Sequence, residues 1–267
     1  MIDKKDSITH LHGALIQHGP GNDRIYLMDV GSADAATLVS ELKDLANAQG
    51  YGKIFAKVPE SSVAPFLKAG YSIEASVHAL YGGREDGLFL GLFLDENRKH
   101  ETLKAEYEEI REIALAKETE DEISGQSIRL CGKEDSEEMA RLYKRIFASY
   151  PFPIDDPAFI RRSMDEQTVY ACIEENGSVV ALASGECDFS PSKLYAEMTD
   201  FATLPDARGN GYALKLLAFL EEELARRGIV TAYTIARAIS PGMNITFSKA
   251  GYTYGGRLCN NTNIAGK

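Results

Sequence analysis

Cysteine is scarce in this sequence, and the few cysteines form no pair of the kind that binds a metal or carries out redox chemistry. The chain has 267 residues, of which four are cysteine, and no two of them stand in a Cys-x-x-Cys pair. We therefore expect free thiols in a reducing compartment. The four are Cys131, Cys172, Cys187 and Cys259.

Long apolar runs are also missing. A membrane-spanning helix needs about 18 or more consecutive apolar residues, and no segment approaches this length. The first residues, Met1 to Asp6, lack the apolar core of a secretory signal peptide. These absences predict a cytoplasmic protein that does not act at a membrane.

Positive charge is in the minority. Lys and Arg number 29 against 40 Asp and Glu, so the formal net charge is −11. A surface that follows nucleic-acid phosphates needs a basic stripe, which this sequence does not supply, so we expect no nucleic-acid partner. An acidic surface favours solubility and cationic small substrates. The net negative charge is explained equally simply if it only keeps the protein from associating with itself in solution.

An internal repeat divides the sequence into two α/β halves. Lys68-Ala69-Gly70-Tyr71 and Lys249-Ala250-Gly251-Tyr252 are identical, and each closes a helix-like stretch and opens a strand-like one. Upstream of each, a helical pattern ends at a glycine, Gly50 or Gly228. Coincidence between two unrelated α/β units is the alternative. The sequence predicts three segments: a smaller half at 1–96, a linking helix at 97–124 and a larger half at 125–267.

A glycine-rich turn in the larger half predicts a phosphate-binding loop. A strand at about 194–204 leads into Arg208-x-x-Gly211-x-Ala213, and an amphipathic helix follows. Small residues here let backbone N–H groups close on a diphosphate, and the positive end of the helix dipole adds to the attraction. Neither the Gly-Lys-Ser/Thr of a Walker loop nor the Gly-x-Gly-x-x-Gly dinucleotide fingerprint is present. With these two kinds of loop excluded, the diphosphate of coenzyme A is the remaining candidate ligand.

This loop, directly after a strand ending in Leu204-Pro205, resembles that of the GCN5-related N-acetyltransferases, the GNAT superfamily. The predicted element order over 125–267 is also similar, with a last strand from Tyr252. The resemblance implies an α/β (α+β) fold with a mixed, mostly antiparallel central sheet flanked by helices. It implies acetyl-CoA as cosubstrate, no metal, and direct attack of an amine on the thioester. By the same resemblance, 1–96 is a degenerate GNAT-like half without a cofactor site.

The resemblance also assigns residues to acetyl-CoA. Backbone groups at the end of the strand are expected to pair with the pantetheine arm, and the loop to hold the diphosphate. Asn244 is similar to an asparagine that contacts the cofactor, although a helix N-terminal cap explains it equally well. The cofactor-binding residues expected are Ala202, Thr203, Leu204, Arg208, Gly209, Asn210, Gly211, Tyr212, Ala213 and Asn244.

Four further runs, at 196–203, 233–238, 242–247 and 260–264, are similar to the β-lysine N(6)-acetyltransferases. This similarity implies a small-molecule amine substrate, β-lysine, and an osmoprotectant product, N(6)-acetyl-β-lysine. One alternative is acetylation of another amine: a polyamine, an aminoglycoside or a protein lysine. A second is a non-catalytic acyl-CoA-binding sensor. The sequence leaves a homodimer open.

Acetyl transfer requires a neutral amine, and an alkylammonium has a pKa near 10.4, so a base or a water relay must take its proton. Glu197 and Asp200 are the candidates. Because side chains alternate along a regular strand, at most one of the two is expected to face the cleft, and Glu197 is preferred. The superfamily's usual acid is a tyrosine at a position where this chain has Phe247, so we expect Tyr252, or else Tyr233, Tyr254 or water, to protonate the thiolate.

The implied substrate carries one carboxylate and two ammonium groups. Arg237 is the candidate for the carboxylate, although a surface salt bridge is an equal explanation. Asn260, Asn261 and Thr262 offer neutral hydrogen bonds, unless they only form a tight turn. The acidic candidates for the ammonium groups are Glu186, Asp188, Glu197 and Asp200.

Overall fold

A computed structural model of the chain describes residues 6–118 and 128–263. Parts of three expectations lie outside these residues: the start of the chain, the end of the linking helix and the last residues of the 260–264 run. Within the described residues the chain forms eleven β-strands and seven α-helices. The strands are β1 Ser7–Leu11, β2 Ala14–Gly19, β3 Arg24–Asp29, β4 Lys53–Pro59, β5 Ser72–Tyr81, β6 Glu85–Phe93, β7 Ile128–Leu130, β8 Thr168–Glu175, β9 Ser178–Asp188, β10 Tyr195–Thr203 and β11 Thr231–Tyr233. The helices are α1 Ala35–Gln49, α2 Val63–Lys68, α3 Lys104–Leu115, α4 Ser136–Ile146, α5 Pro157–Asp165, α6 Tyr212–Arg226 and α7 Pro241–Lys249.

The chain forms two compact units whose limits differ from the predicted division. The described part of the first unit consists of 6–102, 149–152 and 255–263. The second consists of 103–118, 128–148 and 153–254. The helix expected to link the halves therefore belongs to the second unit, where α3 packs on α7 and buries Ile110 and Ala114.

The first unit is built on a six-stranded sheet in the order β1-β2-β3-β4-β6-β5. Its neighbours are antiparallel except β3 and β4, which are parallel and joined through α1. Alternate residues of β4, namely Ile54, Ala56 and Val58, point into a core that also contains Leu38 and Leu42 of α1. The sequence predicted a helical pattern that ends at Gly50, and the structure places the apolar face of that helix, α1, on the sheet.

The second unit has a five-stranded sheet in the order β11-β10-β9-β8-β7. All neighbours are antiparallel except β10 and β11, which are parallel and joined through α6. On one side, the α6 face, Ala171, Ala183 and Met198 pack with Leu217 and Leu220 of α6. The other side, the α4–α5 face, carries the intervening residues: the Tyr170 hydroxyl lies 2.9 Å from the Ser163 hydroxyl of α5.

The repeated tetrapeptide has the same local structure in both units. Gly70 (φ 96°) and Gly251 (φ 83°) have left-handed backbones just after α2 and α7. The following tyrosine N–H in each case donates back to a phenylalanine carbonyl, Tyr71 to Phe66 at 3.1 Å and Tyr252 to Phe247 at 3.0 Å. A left-handed residue that ends a helix favours glycine, which explains why the tetrapeptide recurs.

The prediction of a strand beginning at Tyr252 is wrong. Over 251–263 the structure shows one isolated bridge, between Gly256 and Ala75 of β5. On either side of it, Ser76 N–H donates to Gly255 C=O and Arg257 N–H donates to Glu74 C=O. This C-terminal segment, 255–263, therefore satisfies backbone groups of the first unit's edge strand and forms no strand of the second unit's sheet.

A buried ion pair fixes the C-terminal segment in the first unit. The Lys53 side chain is 0% exposed, and its Nζ lies 2.7 Å from Glu74 Oε2 and 2.7 Å from the Cys259 carbonyl oxygen. The Cys259 N–H donates to Glu74 Oε1 at 3.0 Å. Burial lowers the pKa of Lys53 to about 8, and the charge of Glu74 acts in the opposite direction. The charge of Lys53 is compensated only while Glu74 is ionised, and the charge of Glu74 only while Lys53 is protonated.

Glu74→Gln is expected to lower the free energy of unfolding by about 3 kcal/mol, because it leaves the Lys53 ammonium buried without a counter-charge. Urea denaturation followed by circular dichroism measures the change. The double variant Lys53→Met/Glu74→Gln buries no charge at this point and is expected to recover most of the loss. A double variant less stable than Glu74→Gln would contradict this account.

Candidate active site

The glycine loop between β10 and α6 is open at its surface. Gly209 (φ 84°) and Gly211 (φ 70°) both have left-handed backbones, and a Cβ atom built on either would meet no atom within 4 Å. Such a backbone favours glycine at both positions. The free space beside the two residues fits a bound group that lies against the main chain.

Hydrogen bonds within the loop hold it in place. Arg208 Nε donates to the Thr203 carbonyl at 3.3 Å, and Asn210 Nδ2 donates to the Ala207 carbonyl at 3.2 Å. Helix α6 starts after Gly211, which has no side chain to cap the first-turn N–H groups. These N–H groups and the helix dipole together suit an anion. The loop therefore fits the diphosphate of coenzyme A.

Strands β10 and β11 separate close to the loop. They pair from Tyr195 to Glu197 of β10, opposite Thr231 to Tyr233 of β11. Beyond this point β10 continues to Thr203, hydrogen-bonded to β9 on its other side. Beyond Glu197, the edge of β10 that faced β11 is open. The pantetheine arm was expected to pair with this open edge as an added strand.

One backbone donor at this edge is identified by the pairing of β10 with β9. The Leu204 N–H donates to the Val180 carbonyl of β9 at 2.9 Å, so it points away from the open edge. Because N–H groups alternate along a strand, the Thr203 N–H points toward the open edge. Thr203, more than Leu204, can therefore meet a thioester oxygen there.

A β-bulge in β10 changes which side chains share a face. The pairing with β9 shifts between Thr199 and Ala202, and Asp200 has a left-handed backbone, with φ 55°. Met198 and Phe201 consequently both pack on the α6 face. Glu197 and Asp200 therefore both lie on the α4–α5 face. The expectation that at most one of them faces the cleft assumed a regular strand, and the bulge removes that assumption.

Three carboxylates gather on this face. Glu197 lies directly opposite Glu186 in the antiparallel pair of β10 and β9. Asp200, 4% exposed, accepts a hydrogen bond of 2.7 Å from the Ser184 hydroxyl. Burial raises the pKa of the nearby Tyr170 hydroxyl, and the charges of Asp200 and Glu186 raise it further. The arrangement is an acidic surface suited to ammonium groups.

Tyr233 was one of several candidates for the acid, and the structure places it beside the preferred base. Its hydroxyl donates to Glu197 Oε2 at 2.8 Å. Neither this bond nor the role of Ser184 was predicted. The partners are 36 and 16 residues from their carboxylates along the chain. Only the strand register brings them together, and no local pattern signals it.

Tyr252 lies elsewhere. It packs on the α6 face, with its ring centroid 5.0 Å from that of Phe247. Burial raises the pKa of its hydroxyl, and the charge of Glu221 on α6 raises it further. Because Glu197 is on the opposite face of the sheet, the structure does not bring Tyr252 together with the carboxylates.

Asn244 and Arg237 belong to the segment after β11. Asn244 lies inside α7, so the expectation of an N-terminal cap is wrong, since Ser240 occupies the capping position. The Asn244 Nδ2 donates to the carbonyls of Arg237, at 2.9 Å, and Ser240, at 2.8 Å. Asn244 thereby shapes the loop that presents the exposed Arg237 side chain.

Asn260 and Asn261 belong to the first unit and have partners there. The Asn260 Nδ2 donates to the carbonyls of Arg98, at 2.8 Å, and His100, at 3.0 Å. The Asn261 carbonyl accepts from Arg24 Nη1 at 2.8 Å. These bonds hold the C-terminal segment to the first unit, and a role in substrate binding stays a prediction.

The described residues contain neither a cluster suited to a metal ion nor a helix suited to a membrane. Over 6–118 and 128–263, no group of three or more His, Cys, Asp or Glu side chains is placed to hold a metal ion. No helix in the same residues is long and apolar enough to cross a membrane. The four cysteines are free thiols, and Cys172 is buried.

Comparison with known proteins identifies the family. The model of the acetyltransferase (GNAT) family matches residues 136–241. A β-lysine N(6)-acetyltransferase of Methanococcus maripaludis is 35% identical over 265 residues, which cover 98% of this chain and 95% of that protein. The chain belongs to the GNAT family. A β-lysine N(6)-acetyltransferase of Methanosarcina mazei is 30% identical over 251 residues, covering 85% of this GNAT and 92% of that protein.

A solved structure of AAC(6')-Iy with a CoA bisubstrate analogue has 19% sequence identity to this GNAT and a TM-score of 0.42. The match covers 51% of this chain and 95% of that one. The family confirms four predictions: GNAT membership, a mixed α/β fold with helices flanking mixed sheets, an N-acetyltransferase activity, and acetyl-CoA as cosubstrate.

Gly211→Glu is expected to abolish acetyl-CoA binding, because a carboxylate would enter the space beside the loop and repel the diphosphate. Isothermal titration calorimetry measures the affinity, and a thermal melt checks the fold.

Gly228→Glu is the matched control. Gly228 also has a left-handed backbone (φ 95°) and free space at its Cβ, but it follows the other end of α6. The two glycines are separated by the length of the helix, roughly 22 Å. The control should therefore carry the same backbone strain and bind acetyl-CoA normally. Equal affinities in the two variants would refute the loop assignment.

Proposed function

We propose that this GNAT transfers the acetyl group of acetyl-CoA to the ε-amine of β-lysine, producing N(6)-acetyl-β-lysine for use as an osmoprotectant. The observation that carries the proposal is the set of three carboxylates, Glu186, Glu197 and Asp200, on one face where β10 and β11 separate. A substrate with two ammonium groups suits such a face. The names of the two relatives supply the identity of the amine.

In the proposed reaction Glu197 takes a proton from the ε-ammonium, and the neutral amine attacks the thioester carbon. The C–S bond then breaks, the CoA thiolate leaves with the remaining extra proton of the attacking nitrogen, and Glu197 releases its own proton to water. Acetyl-CoA supplies the activated acyl group. The Thr203 N–H donates to the carbonyl oxygen as negative charge develops on it. The loop from Arg208 to Ala213 holds the diphosphate, and the open edge of β10 at Thr203 pairs with the pantetheine arm. No covalent intermediate on the protein is required.

Other charged side chains of the site are proposed to bind the second ammonium group and the carboxylate of the substrate. Glu186 and Asp200 face the second ammonium group, and the exposed Arg237 is the candidate for the carboxylate. An amine that lacks a second ammonium group or a carboxylate would form fewer of these ion pairs. Selectivity for β-lysine over simple amines follows from that loss.

We also propose that the first unit is a degenerate GNAT half. In both units an antiparallel pair precedes a parallel pair that is joined by one helix: β2-β3-α1-β4 in the first and β9-β10-α6-β11 in the second. The shared Lys-Ala-Gly-Tyr helix ends support the same origin. The first unit lacks the glycine loop.

The substrate is tested by measuring CoA release from acetyl-CoA with β-lysine, α-lysine and spermidine offered separately. We expect fast turnover with β-lysine and at least about tenfold lower kcat/KM for the other two, because α-lysine displaces one ammonium group by one carbon and spermidine lacks the carboxylate. Preference for another amine would keep the acetyl transfer and reject β-lysine. Tight acetyl-CoA binding without release for any amine would reject the enzyme in favour of a sensor.

Glu197→Gln is expected to lower kcat by roughly 10²- to 10⁴-fold, the usual contribution of a general base, while acetyl-CoA affinity stays unchanged. Glu222→Gln is the control, since Glu222 is an exposed carboxylate on α6 whose ion-pair partner is Arg226, at 3.6 Å. A Glu197→Gln enzyme with the wild-type kcat would remove Glu197 from the mechanism.

A further inference from the structure

Tyr233 stands at the last paired position before β10 and β11 separate. It is in register with Glu197, and its hydroxyl lies 2.8 Å from Glu197 Oε2. The side chain is 3% exposed, and its ring meets the Tyr195 ring edge-on at 5.9 Å between centroids. Packing therefore holds the phenol in one orientation, with its O–H directed at the carboxylate.

Further titratable and polar groups come from the elements that pack on this face. Glu186 of β9 is directly opposite Glu197, and Asp200 of β10 lies in the bulge. From β8 comes the Tyr170 hydroxyl, which lies beside Ser163 of α5. Buried Tyr143 comes from α4. The negative charges of Glu186 and Asp200 oppose ionisation of Glu197.

We propose that Tyr233 is a positioning residue, which orients the Glu197 carboxylate and keeps it in the ionised form that accepts the substrate's proton. This inference rests on the proposed acetyl transfer and on Glu197 as its base. A hydrogen bond donated to a carboxylate favours the charged form, because the neutral acid accepts more weakly. Here that bond offsets the repulsion from Glu186.

The experiment compares the pH dependence of kcat/KM for the wild type, Tyr233→Phe and Tyr195→Phe, with the best amine as substrate. Tyr233→Phe is expected to lower kcat about tenfold, the effect of one charge-assisted hydrogen bond. Its acidic limb should move to higher pH, since more Glu197 is protonated at each pH. The KM for acetyl-CoA should stay within about twofold. Tyr195→Phe, which removes a neighbouring buried hydroxyl, should leave the position of the acidic limb unchanged.

A double-variant cycle with Glu197→Gln separates positioning from a general loss of packing. If Tyr233 acts through Glu197, adding Tyr233→Phe to Glu197→Gln should lower kcat no further. An additional tenfold loss in the double variant, or an acidic limb in Tyr233→Phe that matches the wild type, would overturn the inference. A wild type inactive with every amine would instead overturn the proposed function, so the two failures are distinguishable.

Discussion

The β-bulge between Thr199 and Ala202 is the constraint on which the rest of the site depends. In a regular strand Glu197 and Asp200 would point to opposite sides of the sheet, and one of them would enter the apolar face against α6. The extra residue restores the apolar pattern at Phe201, which packs against Phe247 at 5.5 Å between centroids. The bulge lies just beyond Glu197, the last residue of β10 that pairs with β11. One local irregularity thereby creates the acidic face next to the open edge.

Grouping these carboxylates is costly without a bound cation. Like charges directly opposite each other on neighbouring strands destabilise a sheet, by up to about 1 kcal/mol. The structure limits the cost with hydroxyl donors: Ser184 binds Asp200, and Tyr233 binds Glu197. A hydroxyl group satisfies a carboxylate oxygen and leaves the negative charge in place. A lysine or arginine side chain would cancel that charge. The site consequently keeps its attraction for an ammonium substrate.

The parts of the site that sequence could predict are those specified by local pattern. Particular residues at short spacing specify the glycine loop, the strand before it and the helix after it. These three elements could therefore be predicted from the sequence. The bulge could not, because no glycine marks it and Asp200 itself adopts the left-handed backbone. The path of the C-terminal segment depends on partners such as Lys53 and Glu74, which are 206 and 185 residues away from Cys259.

The helix starts at the equivalent places of the two units differ in the charge that they hold. In the second unit Gly211 precedes α6 and leaves its first N–H groups without a side-chain partner. At the equivalent place in the first unit, Asp34 caps α1 and accepts the Thr37 N–H at 2.9 Å. A hydrogen bond from the Thr37 hydroxyl lowers the pKa of Asp34, and the bond from the Thr37 N–H lowers it further, so the helix start already carries its own anion. A diphosphate would meet this negative charge at a position where α6 offers only N–H groups. If the first unit is the degenerate GNAT half proposed above, an acidic cap in place of a glycine is a change that opposes a diphosphate at this helix start and leaves the fold intact.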